Sequence, residues 1–173
     1  MKKMVLFLLP FILFVVFADI VFTKNSYAVS VKNNIDGSGT LGNNTGWKGI
    51  PVGVTAAINH PNGKAYFFNG NKYYRFDFDS NRADLTGTLG NNTGWKGIPV
   101  GVTAAINHPN GKAYFFKGNK YYRFDFDSNK VDLIGTLGNT GWKGIPIGVT
   151  AAVSHQNGKG YFFKGNTYYR FNF

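Results

Sequence analysis

Short apolar and aromatic runs alternate with turn dipeptides along most of the chain. In the first full example, Asn62-Gly63 and Gly70-Asn71 separate three such runs. Both dipeptides favour tight hairpin turns, and we expect the type I′ geometry at Asn62-Gly63. Three β-rich runs joined by two such turns predict an antiparallel meander, and a fourth, outer strand follows the turn at residues 79–81. The predicted strands cover residues 54–58, 64–68, 72–78 and 83–89.

The faces of these strands predict that each meander is covered on both sides. Within residues 73–78, one face carries aromatic side chains only, and the other carries Tyr73, Arg75 and Asp77. The middle run Tyr66-Phe67-Phe68 is large and apolar on both faces. A strand of this kind needs neighbours on both sides, as the blade of a propeller has.

The whole pattern occurs three times in the sequence. The stretch that begins at Trp47 recurs at Trp95 and at Trp142, about 48 residues apart, a period typical of propellers and solenoids. The innermost run of each copy carries an Ala-Ala pair. Small side chains of this kind are needed where several blades meet around the central axis. The predicted repeats cover residues 47–94, 95–141 and 142–173, the last one truncated.

The residues before the first repeat have two predicted parts. Residues 1–28 combine a Lys-Lys start, a long apolar run and a small-x-small end, which predicts a secretory signal peptide and an extracellular protein with no membrane span after cleavage. An uncleaved anchor is the alternative. Residues 29–46 are a lead-in, of which 39–46 repeats residues 87–94 word for word. The lead-in therefore matches the outer part of a blade.

Composition narrows the class of partner. The chain has 19 Lys plus Arg against 8 acidic residues, a formal charge of +11, and it has no cysteine. The missing cysteines exclude disulfides, thiolate metal sites and a cysteine nucleophile. The positive charge favours anionic partners, and the predicted export argues against nucleic acid as a partner.

The repeated motif resembles the hemopexin-like repeat. Each copy contains Trp-x-Gly-Ile-Pro, then Ala-Ala, then a form of Asn-Gly-Lys-x-Tyr-Phe-Phe-Lys-Gly-Asn-x-Tyr-Tyr-Arg-Phe. The resemblance covers almost all of residues 46–173 and implies an all-β, hemopexin-like β-propeller. The family norm is four blades of four antiparallel strands around a central channel. Its members bind haem, polyamines, glycans or other proteins.

The chain departs from that family pattern in two ways. The family usually has Asp before the Ala-Ala pair, where it is associated with a channel cation, but this chain has Thr55, Thr103 and Thr150. A hydroxyl supplies no anionic oxygen, so a channel cation is doubtful. There are also three cores and not four. Either the lead-in closes the ring by pairing with the third core, or the open edge recruits another chain and gives a homo-oligomer.

The resemblance makes the histidines the candidate haem ligands. They are His60, His108 and His155, one in the same turn of each repeat. The competing interpretation is that they lie on loop tips, were copied with the repeat and are too far apart to share one ligand.

Tryptophan and lysine at the start of each repeat are candidate glycan contacts. Aromatic rings can stack on sugars, and lysines attract acidic glycans. The alternative is that each Trp fills the space between two blades. The candidates are Trp47, Trp95, Trp142, Lys48, Lys96 and Lys143.

Paired aspartates at 77 and 79, and at 125 and 127, do not predict catalysis. We expect Asp77 to form a structural ion pair with Arg75, and the third repeat has Asn172 at this place. No Ser-His-acid set or phosphate-binding motif is present, so no catalytic residue is predicted.

The sequence therefore predicts a secreted, non-enzymatic binding protein. The first hypothesis is a haem-type or other small ligand in the channel or on the repeated surface. The alternatives are a multivalent lectin or adhesion protein that binds glycans or cell-surface proteins, and a structural assembly module.

Overall fold

Three antiparallel sheets follow one another along the chain, each built from one repeat. The computed structural model describes residues 38–41, 46–90, 94–138 and 141–173. The first two sheets have four strands in sequential order and the third has three. The strands are β1 (Ala56–Asn59), β2 (Ala65–Asn69), β3 (Lys72–Asp77), β4 (Arg82–Thr88), β5 (Ala104–Asn107), β6 (Ala113–Lys117), β7 (Lys120–Asp125), β8 (Lys130–Thr136), β9 (Ala151–His155), β10 (Lys159–Lys164) and β11 (Thr167–Asn172).

We call the sheets blade 1 (β1–β4), blade 2 (β5–β8) and blade 3 (β9–β11). The predicted meanders and the outer fourth strand of blades 1 and 2 are confirmed. The inner strands β1, β5 and β9 lie side by side, β1 against β5 and β5 against β9. Their alanines, together with Thr55 and Thr150, line a channel-side cavity of about 260 Å³. The all-β blade architecture is thus the predicted one.

The first hairpin turn differs from the predicted type I′ geometry. Gly63 has a positive φ of 79°, but Asn62 is not among the described residues with a positive φ. The Gly63 N–H donates to the His60 carbonyl at 3.0 Å, and the His60 N–H donates to the Lys64 carbonyl. This is a three-residue loop, a type I turn followed by a left-handed residue, in which Pro61 takes the position that favours proline.

The core consists of side chains packed between consecutive blades. Between blades 1 and 2 the fully buried residues include Phe68 and Phe115, whose rings lie 5.0 Å apart edge to face. Between blades 2 and 3, Phe116 and Phe162 repeat that contact at 5.3 Å. Such pairs contribute about 0.5–1.5 kcal/mol each beyond the burial of their area. The predicted double-sided cover of the middle strands is therefore supplied by neighbouring blades.

Blade 3 has no outer strand among the described residues, and β11 pairs only with β10. Residues 38–41 lie in no strand. The predicted closing strand falls mostly on residues 29–37 and 42–45, and the signal peptide on residues 1–28, all outside the described residues. No helix long and apolar enough to cross a membrane occurs in the described part of the chain.

Candidate functional site: the clefts between blades

A cleft of about 320 Å³ opens between blade 1 and blade 2. Strands β2 and β3 and the first turn of blade 1 form one wall, and the start of blade 2 with its β7–β8 turn forms the other. The side chains combine aromatic rings with an imidazole, a guanidinium and a carboxamide. The lining residues are His60, Tyr66, Tyr73, Arg75, Leu85, Gly94, Trp95, Phe126 and Asn129.

His60 is fixed in the cleft by its own turn and by three aromatic neighbours. Its Nδ1 accepts a hydrogen bond from the Asn62 N–H at 3.1 Å. The ring centroid lies 4.8 Å from that of Phe126 and 5.2 Å from that of Tyr66. Half-burial among these rings lowers the pKa of His60. The imidazole is therefore neutral at pH 7, with its proton on Nε2 because Nδ1 serves as the acceptor.

Arg75 presents a positioned cation. The sheet of blade 1 has a bulge at which Arg75 opposes Leu85 and Phe76 opposes Ala83, so Asp84 is the extra residue. The Asp84 carboxylate accepts hydrogen bonds from Nε of Arg75 at 2.8 Å and from a terminal guanidinium nitrogen at 3.0 Å. This pairing raises the pKa of Arg75 and lowers that of Asp84. A two-point contact fixes the plane of the guanidinium while other N–H donors remain for a ligand.

Asn129 enters the cleft from the opposite blade. It ends the turn between β7 and β8 with a φ of 53°, a left-handed conformation that asparagine tolerates better than most side chains do. Asn129 is exposed, so its carboxamide offers both a donor and an acceptor at the mouth of the cleft.

Blades 2 and 3 repeat most of this arrangement. His108 lies 4.6 Å from Phe173 and 5.9 Å from Trp142, measured between ring centroids. Arg123 contacts Asp132 at 2.8 Å, with the same bulge beside it.

The three candidate haem ligands lie on three separate blades. No group of three or more His, Asp or Glu that could hold a metal occurs among the described residues. In each copy, Nδ1 accepts a backbone N–H from the residue two positions later. His60 lines the cleft between blades 1 and 2, His108 lies beside Trp142 and Phe173, and His155 is exposed. The structure therefore does not bring the histidines together.

Two of the three candidate channel threonines form hydrogen bonds between blades. Thr55 donates from Oγ1 to the Val102 carbonyl at 2.6 Å, and Thr103 donates to the Val149 carbonyl at 2.7 Å. Thr150 lies on the last blade, and its hydroxyl bonds within that blade. The hydroxyl protons of Thr55 and Thr103 thus serve contacts between blades.

Two of the three candidate tryptophans are buried between blades. Trp95 and Trp142 are each 2 % exposed, so a sugar cannot stack on their faces, whereas Trp47 is 41 % exposed. Of the two interpretations, blade packing is the correct one for Trp95 and Trp142. Lys48, Lys96 and Lys143 are all exposed. Lys48 lies beside Arg82, and Lys96 beside Lys130, through parallel bridges at the outer edges of the blades.

The expected Asp77–Arg75 ion pair is wrong in its partner. Asp77 contacts Lys64 at 2.7 Å, because β2 and β3 place these two residues opposite each other beyond the Ala65–Phe76 pair. The hydrogen bond from Lys64 lowers the pKa of Asp77 to about 2. Asp125 repeats this contact with Lys112 at 2.7 Å.

Tyr66, Arg75 and Asn129 are cleft residues that the sequence pattern does not predict. The sequence pattern predicts the wrong aspartate as the partner of Arg75, and it predicts no role for Asn129. A signal was present, because Arg recurs at the same place within an aromatic strand of every repeat. The contribution of Asn129 depends on the neighbouring blade, which no local pattern reveals.

Comparisons with known proteins agree on the fold. A family model described as Hemopexin matches residues 54–99, 102–146 and 149–173. A search of curated proteins finds no match.

Several solved structures are similar. A plant lectin with two metal binding sites from Cicer arietinum is 25 % identical, with a TM-score of 0.53 over 70 % of this chain and 61 % of that one. A hemopexin-fold protein from cow pea is 25 % identical, with a TM-score of 0.54 over 69 % and 60 %. A seed albumin from Lathyrus sativus is 24 % identical, with a TM-score of 0.55 over 68 % and 59 %. The chain thus spans about 60 % of the length of these plant proteins.

Proposed function

Because the chain belongs to the hemopexin family, whose repeat model covers most of it, we propose that it is a non-enzymatic carbohydrate-binding module. It binds anionic glycans in the clefts between successive blades. The observation that carries this proposal is the cleft of blades 1 and 2, where exposed parts of aromatic rings adjoin the fixed guanidinium of Arg75 and the carboxamide of Asn129. The apolar faces of a sugar ring can pack on the aromatic rings. Its hydroxyl and acidic groups can form hydrogen bonds with the guanidinium and the carboxamide.

The charge of the blades supports an anionic ligand. Four aspartates are engaged with Lys or Arg at 2.7–2.8 Å: Asp77, Asp84, Asp125 and Asp132. The exposed cations at the outer edges, Lys48 beside Arg82 and Lys96 beside Lys130, have like-charged neighbours. A polyanion that bridges such a pair relieves their repulsion, so binding weakens as salt screens the charges.

The similar plant structures also favour carbohydrate, since one of them is described as a lectin. Repeated clefts suit that function, because several weak sites on one chain combine into strong binding to a multivalent surface.

The histidine geometry favours glycan over haem. An iron ligand needs a free lone pair on an imidazole nitrogen. In all three histidines Nδ1 accepts a backbone N–H, which leaves the proton on Nε2. Haem binding through any one of these histidines requires that its own turn first lose this hydrogen bond.

Export is part of the proposal. A module that binds glycans meets them outside the cell, and residues 1–28 have the pattern of a cleaved signal peptide. Mass spectrometry of the protein recovered from a culture medium is expected to show a chain that begins near Val29. A chain that retains residue 1 contradicts this.

The function is tested by isothermal titration with three oligosaccharides of equal length, one sulfated, one desulfated and one neutral glucan. We expect binding of the sulfated chain and weaker binding as salt rises. Asn129→Gly keeps the left-handed backbone and removes the carboxamide, so affinity at that cleft falls about threefold to tenfold, the effect of one hydrogen bond. Asn119→Ala, in the turn at the opposite end of blade 2, is the matched control and leaves affinity unchanged.

Two results would overturn the proposal. One is the absence of binding to any anionic oligosaccharide. The other is equal affinity in the Asn129 and Asn119 variants, which places the ligand elsewhere.

A further inference from the structure

One short loop of each repeat exposes an aliphatic side chain. The tips of these loops are Val52, Val100 and Ile147, which are 73 %, 48 % and 55 % exposed. Each tip follows a Pro and precedes a Gly, in the segment that leads from the Trp of the repeat to its inner strand. No other exposed large apolar position recurs in all three repeats among the residues that the structure describes. Apolar side chains repeated on one surface mark an interaction site.

The three loops lie at the same end of the blades. The Gly101 N–H, next to Val100, donates to the Gly70 carbonyl at 2.9 Å, and the Gly148 N–H donates to the Gly118 carbonyl at 3.1 Å. Gly70 and Gly118 belong to the tight turns between the second and third strands of blades 1 and 2. Each loop thus packs on the turn of the preceding blade. We call this end of the molecule the linker rim, which consists of the loops 50–53, 98–101 and 145–148 and the turns 69–72, 117–120 and 164–167.

The aliphatic tips are held away from the blades. In each loop the Ile two positions before the tip is buried, and the Gly after the tip has a positive φ between 73° and 81°. The Val52 carbonyl accepts a hydrogen bond from Nδ2 of Asn69 at 2.9 Å, and the Val100 carbonyl accepts one from Nζ of Lys117 at 2.7 Å. Because these two carbonyls already have donors, placing the tips in an apolar medium leaves neither of them unsatisfied.

The linker rim is also cationic. Its turns carry four exposed lysines, which are Lys72, Lys117, Lys120 and Lys164. No acidic residue of the described part of the chain lies in these loops and turns. Asp77 is at the other end of β3, about 16 Å from Lys72 at roughly 3.3 Å per residue. Asp84 is paired with Arg75, and blade 2 repeats both arrangements. The rim therefore combines aliphatic tips with lysines that no carboxylate of the rim neutralises.

We propose that the linker rim docks on an anionic lipid bilayer. Val52, Val100 and Ile147 enter the bilayer below the headgroups, and the lysines lie beside the lipid phosphates. A bilayer interface of this kind binds a surface through buried apolar area and through attraction between cations and anionic lipids. Each lysine near the surface strengthens binding about fivefold.

The arrangement of the tips favours a bilayer over a protein. A protein partner buries a contiguous apolar patch in which aromatic residues and Arg are enriched. The three tips stand on separate loops around the mouth of the channel, with lysines in the turns between them. Three separate points can all meet one flat surface, and a bilayer supplies such a surface.

The linker rim and the clefts lie at opposite ends of the blades. His60 belongs to the β1–β2 turn and Asn129 to the β7–β8 turn, and in each meander these turns are opposite Gly70 and Gly118. A molecule docked through the rim keeps its clefts open to solvent. The inference does not rest on the proposed function, and Asn129→Gly is expected to bind vesicles as the unaltered protein does.

The first test is co-sedimentation with vesicles of phosphatidylcholine, alone or mixed with phosphatidylglycerol. The full 173-residue chain is expressed, and its processed N-terminus is determined by mass spectrometry. We expect binding to the mixed vesicles only, and weaker binding as salt rises. Val100→Ser is expected to lower the affinity about tenfold, the effect of one aliphatic side chain that is no longer buried.

The matched control is Val153→Ser. Val153 is 50 % exposed, close to the 48 % of Val100, but it lies within β9 and not on the rim. This variant is expected to keep the affinity of the unaltered protein. Circular dichroism confirms that both variants are folded. Equal affinities of the two variants would mean that another part of the chain binds the vesicles, and would overturn the proposal.

A fluorophore shows whether the rim enters the bilayer. The chain has no cysteine, so Val100→Cys carries a single environment-sensitive dye. Its emission is expected to move to shorter wavelength when mixed vesicles are added. A dye on Ser128→Cys, in the turn at the opposite end of blade 2, is expected to show no change. The proposal is overturned by the same response at both positions or by no response at position 100. It is also overturned if the mixed vesicles are not bound, in which case the partner of the rim is a protein.

Discussion

In blades 1 and 2, one glycine of the outer strand lies against a tyrosine of the neighbouring strand. Gly87 and Gly135 lie under the rings of Tyr73 and Tyr121, so closely that a Cβ at either position would overlap the phenol. Tyr121 is 6 % exposed, held between blades 2 and 3. A glycine is needed at this place so that the ring can lie flat on the backbone.

Gly135→Ala is therefore expected to lower the free energy of unfolding by about 1–3 kcal/mol, the usual cost of overpacking. Urea unfolding followed by circular dichroism measures it. Gly46→Ala is the control, because nothing lies within 4 Å of a Cβ there and its φ is not positive. Equal stability of the two variants would mean that Tyr121 does not occupy the described position.

Because the proton of each histidine lies on Nε2, we expect that the histidines do not ligate haem iron. A hemin titration followed by Soret absorbance is expected to be the same for the unaltered protein and for a variant with alanine at His60, His108 and His155. Circular dichroism confirms that both are folded. A saturable Soret shift that disappears in the variant would show that at least one imidazole gives up its turn hydrogen bond to iron.

At the scale of the blade, the sequence predicts strands and turns well because they depend on local patterns. Alternating aromatics, paired alanines and Gly-Asn turns lie within a few residues of one another, and the predicted meander is the one observed. The ion pairs were harder to predict. The bulge after Arg75 brings Asp84 to the guanidinium and leaves Asp77 to Lys64, and nothing in the spacing of these residues marks the bulge.

Blade 3 differs from the others at this ion pair. Lys159 is equivalent to Lys64 and Lys112, but Asn172 replaces the aspartate, and β11 has no outer neighbour in the described part of the chain. Blade 3 thus lacks a contact that its two relatives have at 2.7 Å.

Asn172→Asp is expected to restore that contact and raise the melting temperature slightly at pH 7. The lysine lowers the pKa of Asp77 and Asp125 from 3.8 to about 2. A carboxyl whose pKa is lower in the folded state stabilises above pH 3.8 and loses that effect as the pH falls towards 2. Melting curves at pH 7 and at pH 2 should show a much smaller difference at pH 2 than at pH 7. A difference of equal size at both pH values would have another cause.

At the scale of the whole molecule, the sequence predicts the number of blades but not what lies between them. Trp95 and Trp142 could equally have been surface platforms, and their burial depends on a blade about 48 residues away in sequence. The cleft has the same origin, since Arg75 and Asn129 come from different blades. A local pattern thus predicts each blade, but it does not predict the contacts between blades that form the cleft.

The most direct test of the cleft is an NMR titration of the isotope-labelled protein with the sulfated oligosaccharide. We expect the largest shifts at the Arg75 Nε–H, the Asn129 carboxamide and the His60 ring, with smaller changes at the equivalent Arg123 and His108. Shifts confined to the channel alanines and threonines, or no shifts at all, would contradict glycan binding between the blades.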